Sequence, residues 1–157
     1  MDTWQFDDSP VVTAPDGSTV RPLGVLPGAA SMARFELPPG TVSRAVSHAT
    51  VQELWHVVGG SGELWRRRVA DGHAEVTALR PGVTVSIPLG TVFQFRADPG
   101  ATLLILAATM PPWPDTPDEA RPEPGPWTPS VPPGIPLTCP FATRQAGPRD
   151  DPERNRR

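Results

Sequence analysis

Between residues 31 and 109, turn signals recur about every ten residues, and this spacing limits the fold more than any other feature of the chain. Pro38-Pro39-Gly40, Asp71-Gly72 and Pro81-Gly82 punctuate short segments of β-type composition. Ala33, Phe35 and Leu37 alternate with Arg34 and Glu36, the period of a half-buried strand. Further strands are predicted over 42–48, 53–58, 62–68, 75–79, 83–87, 92–96 and 102–109. With 23 prolines and 14 glycines in 157 residues, long helices are disfavoured. The pattern predicts an all-β domain, an antiparallel sandwich or barrel.

Composition divides the chain into three parts. Residues 1–30 read as N-terminal strands or an arm, with Pro15-Asp16-Gly17 as a hairpin turn between weak strand signals. Residues 31–110 carry the regular strand pattern. Residues 111–157 form a Pro-rich extension that opens with Pro111-Pro112-Trp113-Pro114. Such a segment is extended, polyproline-like or disordered. Trp113 and Trp127 are candidates to pin its first part to the barrel, the alternative being a solvated tail. The stretch beyond Gln145 is expected to be disordered. A PxxP ligand for an SH3-type partner, or a scaffold role for this extension, is a further reading.

A net charge of -3 and a pI near 5.5 give no reason to expect nucleic acid or an anionic membrane as partner. All cations are arginine. The acidic start, MDTWQFDDSP, does not read as a signal peptide, and the apolar run 103–108 is far short of a membrane span. The single cysteine, Cys139, excludes an internal disulfide and reads as a free thiol of a cytoplasmic protein.

Strand alternation then assigns faces. Residues 44, 46 and 48 share one face, as do residues 53, 55 and 57. With both faces turned inward, His48 and Glu53 meet in the lumen, near Arg44 and Trp55. A shared His–Glu hydrogen bond is expected there, with the carboxylate favouring the imidazolium and desolvation opposing it. The pair would anchor a ligand, satisfy itself as a buried structural pair, or act as a general acid/base; the residues alone leave these open. Arg44 would recognise a carboxylate or phosphate, or stand exposed at the barrel mouth. Trp55, Trp65, Phe93 and Phe95 are candidates for an aromatic wall or for core packing. By parity His56 and Gln94 point away from the lumen, and His73 lies at the surface beside a turn.

Two runs resemble the paired sequence motifs of the cupin superfamily. In the first, Gly40 precedes position 46 by the family's spacing, His48 fits the second histidine, Glu53 follows after four residues, and Gly60 after six more. In the second, Gly82, Pro88 and Gly90 fit without a gap. Val46 and Phe93 replace histidines of the pattern, and Ala97 replaces its asparagine. The resemblance implies an antiparallel jelly-roll barrel with any ligand at its mouth, and a homodimer.

A cupin metal site usually has three histidines and one glutamate, of which this chain keeps His48 and Glu53. Two ligands plus water would hold a divalent ion weakly at best. The expected function is therefore binding of a small, anionic organic molecule by Arg44, His48, Glu53, Trp55 and Phe93, without a tight metal. The alternative is a metal-dependent cupin enzyme of isomerase, epimerase or dioxygenase type, using His48 and Glu53 as a reduced metal site or as an acid/base dyad.

Overall fold

A computed structural model describes residues 1–114 and 116–132. Cys139 and the stretch beyond Gln145 lie outside the described residues. Among the described residues, eleven strands form two antiparallel sheets. The N-terminal hairpin comprises β1 (Val12–Thr13) and β2 (Thr19–Leu26), turned by Asp16 and Gly17. β3 (Ala30–Leu37) follows, then β4 (Val46–His48), β5 (Gln52–Gly59), β6 (Gly62–Arg68), β7 (Ala74–Leu79), β8 (Thr84–Ile87), β9 (Thr91–Ala97), β10 (Leu103–Met110) and β11 (Ala120–Pro122).

One sheet has the order β1-β2-β3-β10-β5-β8, the other β11-β4-β9-β6-β7. Sequence neighbours are often not sheet neighbours. β10 lies between β3 and β5, and β9 between β4 and β6. Two facing sheets with these crossovers make a jelly roll. The only helical element among the described residues is a 3-10 turn, Phe6–Asp8. No helix of the described residues is long and apolar enough to cross a membrane.

The core forms where the alternating residues of the two sheets meet. Along β5, Glu53, Trp55 and Val57 are buried, while Gln52, Leu54, His56 and Val58 are exposed. Phe35 and Leu37 of β3, Phe93 and Phe95 of β9, and Leu103 and Ile105 of β10 complete the facing layer. The motif glycines are fixed by backbone geometry. Gly60 has φ +67°, and a Cβ there would lie 2.2 Å from the Thr102 carbonyl oxygen.

The composition break near residue 110 is not the edge of the packed structure. β11 pairs with β4, with Ala120 opposite His48 and Pro122 opposite Val46. Gln94 is buried on the outer side of β9; its amide donates to the Ser43 and Trp127 carbonyls at 2.8 Å each and accepts from the Trp127 N–H at 3.1 Å. Arg96 stacks on the Trp127 ring at 4.4 Å. Val131 belongs to the core cluster, where it occupies the space beside Gly17.

Candidate functional site

A cavity opens between the two sheets, with about 550 Å³ of space when counted out to the solvent at its mouth. β4 contributes Val46 and His48, β5 contributes Glu53 and Trp55, and β9 contributes Phe93. These positions are fixed by pleat parity. Val46 pairs directly with Phe93, so their side chains stand together on the inner face where the motif would place histidines.

Of the five residues singled out from the sequence, four share this cavity. Arg44 does not. The regular strand begins only at Val46, because the Arg44 N–H donates to the Asp16 carbonyl at 2.8 Å and the chain leaves the pleat there. Arg44 is half-buried and does not line the cavity. Trp65 also lies off the wall, on the opposite parity from buried Leu64. Phe95 packs edge-on against Trp55, centroids 5.0 Å apart, one layer deeper.

His48 and Glu53 are not bonded to one another. Glu53 is 3% exposed, and its Oε2 accepts the Trp55 indole N–H at 2.7 Å. Its Oε1 has no hydrogen-bond partner among the described residues, and neither has His48 Nδ1. Burial dominates both ionisations. It pushes Glu53 up to about 8, against the Trp55 bond and with help from the charges of Asp16 and Glu119. It pulls His48 down to about 4, against the attraction of Glu119. At neutral pH the imidazole is uncharged and Glu53 holds its proton.

Sequence reasoning missed three other contributors. Asp16, from the β1–β2 turn, lines the cavity and is 6% exposed. Burial raises its pKa, and hydrogen bonds from the Ser18 side chain and backbone N–H, at 2.6 and 2.8 Å, oppose the rise. Trp113 closes one side, edge-on to His48 at 5.2 Å, and its backbone N–H donates to Ser31 Oγ at 3.0 Å. Glu119 lies just ahead of β11 and is 2% exposed. It accepts from the N–H groups of Thr50 and Val51 at 2.8 and 2.9 Å and from the Thr50 hydroxyl at 2.7 Å. Burial raises the Glu119 pKa, but these bonds and the His48 charge outweigh it and hold the carboxyl below its ordinary value. His56 bonds Thr84 on the outer face, and His73 is exposed.

No protein-family model and no curated protein matches the chain. Solved structures do match it. Pac13, described as a unique nucleoside dehydratase, superimposes with a TM-score of 0.62 at 12% identity, covering 78% of this chain and 91% of its own. Streptomyces Pac13 has also been solved with uridine. The capsular polysaccharide assembling protein CapF of Staphylococcus aureus gives 0.61 at 17% identity, over 71% of this chain and 34% of CapF. A Bacillus subtilis oxalate decarboxylase gives 0.59 at 15% identity, over 70% of this chain and 30% of that one. The chain thus spans about a third of the length of the latter two. All three are cupin-fold proteins, and this chain has the cupin fold.

Proposed function

We propose that this cupin binds a small organic molecule in its lumen, between His48 and Glu53, without a resident metal ion. One observation carries the reading. Two buried polar atoms, His48 Nδ1 and Glu53 Oε1, lack partners among the described residues and belong to the wall of one mostly apolar cavity. A buried polar atom without a partner carries a free-energy penalty of about 1–3 kcal/mol, which a ligand supplying the missing bonds would remove. Apolar walls with a few convergent polar groups are the usual make-up of a small-molecule site.

The donor set does not fit a tightly held metal. Among the described residues, no three His, Cys, Asp or Glu side chains gather into a metal-ion group. Val46 and Phe93 put hydrocarbon where further ligands would stand, and Glu53 is protonated at neutral pH. The enzyme alternative through a reduced metal site lacks a third donor for the same reason.

The test is a thermal-shift screen of the untagged chain against small organic molecules of all three charge classes, alongside metal content per chain. At least one compound is expected to raise Tm, and His48→Ala and Glu53→Gln are each expected to weaken that response. A full response in both variants, or a stoichiometric metal lost in either, would overturn the proposal.

The homodimer belongs to the same proposal. Met32, Ala108 and Leu54 form one cross-strand row on the outer face of the six-stranded sheet, and Met32 and Leu54 are 41% and 47% exposed. A second copy would cover this row. Sedimentation of the parent and of Leu54→Glu should give a dimer and a monomer; a monomeric parent sinks the dimer.

A further inference from the structure

We propose that the lumenal ligand is a small organic cation, an ammonium or amidinium group carried on an apolar frame. The inference rests on the reading of the lumen as a small-molecule pocket and adds its charge class.

The wall offers acceptors to a cation and no positive charge to an anion. The chain contains no lysine, and no arginine among the described residues lines the cavity. Arg44, the residue on which an anionic ligand was expected, lies off the wall. Two carboxyl groups, Asp16 and Glu53, are on it. Asp16 Oδ1 is already engaged by Ser18, and the Ser31 and Thr109 hydroxyls bond one another. Among the described residues, the fully buried polar atoms of the wall without a partner are Glu53 Oε1 and His48 Nδ1. Once Glu53 is ionised, and with the His48 proton on Nε2, both atoms accept hydrogen bonds, and their complement is a donor. A donor carrying positive charge also lets Glu53 ionise against an opposite charge instead of remaining a buried acid.

The rest of the wall suits the same ligand. Phe35, Trp55, Phe93 and Trp113 line the cavity. Trp55 and Phe93 meet edge-on with centroids 5.5 Å apart. Aromatic faces attract a desolvated cation through the ring quadrupole while covering its apolar frame. A carboxylate ligand would meet two buried acids and the negative faces of the same rings.

The mechanism of charge matching has a consequence for protons. The groups facing Glu53 are Asp16 from the β1–β2 turn, His48 from β4, and Glu119 ahead of β11. Burial keeps Glu53 protonated in the free protein, and none of these groups is a cation at neutral pH to oppose it. Binding a cation drives that proton off, and affinity rises with pH up to the free-state pKa.

The test uses the full chain and three near-isosteric compounds: benzylammonium, benzyl alcohol and benzoate. Benzylammonium alone is expected to raise Tm. Its Kd should fall about tenfold from pH 6 to pH 7, one proton being released per molecule bound. That release is read from the dependence of calorimetric heat on buffer. Glu53→Gln, in which an amide replaces a protonated carboxyl of the same shape, should keep the fold and lose the pH dependence. An equal or larger shift with benzoate or benzyl alcohol would overturn the cation assignment and leave the pocket reading standing. No shift with any of the three, in the parent protein, would count against both.

Discussion

Trp55 donates its indole N–H to the carboxyl of Glu53, two residues earlier on the same strand and the same face, at 2.7 Å. The bond fixes the orientation of the acid, since one oxygen is held by the indole and the other is left to the lumen. Trp55→Phe keeps most of the packing against Phe35, Phe93 and Phe95 but removes the donor. It is expected to destabilise the fold by roughly 2 kcal/mol through the lost bond and the smaller ring. The Glu53 pKa should move further above 8, because the indole bond is what opposes burial. Urea denaturation and the titration of Glu53 carbonyl infrared bands check the two parts separately.

Stability should depend on pH in a characteristic way. Glu53 holds a proton when folded up to about pH 8, while the unfolded chain releases it near 4.5. The folded state is therefore favoured by this group at low pH, and the advantage fades between 4.5 and 8. His48 works in the opposite direction: folded it titrates near 4, unfolded near 6.5, so stability rises between those values. The two slopes oppose each other up to about pH 6.5, with Asp16 acting in the direction of Glu53 and Glu119 in that of His48. Above 6.5 His48 no longer contributes, and stability should fall, Glu53 supplying up to about 1.4 kcal/mol per pH unit of the decline. Glu53→Gln is expected to flatten that decline. A parent protein of constant stability from pH 6.5 to 8 would contradict the buried-acid assignment.

Glu119 is held by three donors from the Thr50–Val51 segment, so its loss orphans two backbone N–H groups. Glu119→Ala should destabilise the fold by about 2–4 kcal/mol. Glu119→Gln, which retains one acceptor oxygen, should be milder. Removing its charge also removes the attraction that partly supports His48 protonation, so the His48 pKa should drop below 4. Imidazole NMR signals followed to acid pH would show this; an unchanged His48 would mean that the charge is screened.

Two motif glycines make a controlled pair. Gly60 and Gly90 both have positive φ, +67° and +77°. A Cβ at Gly60 would run into the Thr102 carbonyl, whereas nothing lies within 4 Å of one at Gly90. Gly90→Ala should show only the backbone penalty, about 1 kcal/mol. Gly60→Ala should exceed it by at least about 2 kcal/mol, the scale of overpacking. Equal denaturation midpoints would show that the Gly60 loop relaxes freely.

The lost metal ligands can be restored. Val46 and Phe93 face each other across β4 and β9, on the wall that holds His48 and Glu53. Val46→His with Phe93→His assembles three imidazoles and a carboxyl around one space. That chain should retain one divalent ion after desalting, with the parent as control, measured by elemental mass spectrometry.

The strands were legible in the sequence because their signal is local. Period-two alternation along 53–58 placed Glu53 and Trp55 inside and His56 outside, and turn residues set the strand ends. His48 was legible for the same reason, whereas Phe93 came from the resemblance to the second cupin motif, since Thr91 to Phe95 are all buried. Arg44 was misplaced because parity applies only while the pleat continues, and the backbone bond to Asp16 breaks it just before Val46. The expected His48–Glu53 bond failed because a facing parity does not specify a distance, and the indole two residues away was the nearer donor. Asp16, Trp113 and Glu119 were invisible as site residues for another reason. Each comes from a turn or from the Pro-rich segment, where no periodicity assigns a face; Asp16 and Trp113 line the lumen and Glu119 lies behind it, bonded to the Thr50–Val51 segment. Glu119 accepts from Thr50, 69 residues away.

The strand pairing of β11 with β4 has a practical meaning for anyone who would move this barrel. Cutting after β10 would discard Trp113, Glu119 and Val131, which are respectively a wall of the cavity, the anchor of the Thr50–Val51 segment and a core side chain. The smallest portable module therefore reaches at least to Val131. A fusion partner or grafted binding loop belongs beyond that residue, or at the open Gly72 turn, where a side chain would meet nothing within 4 Å.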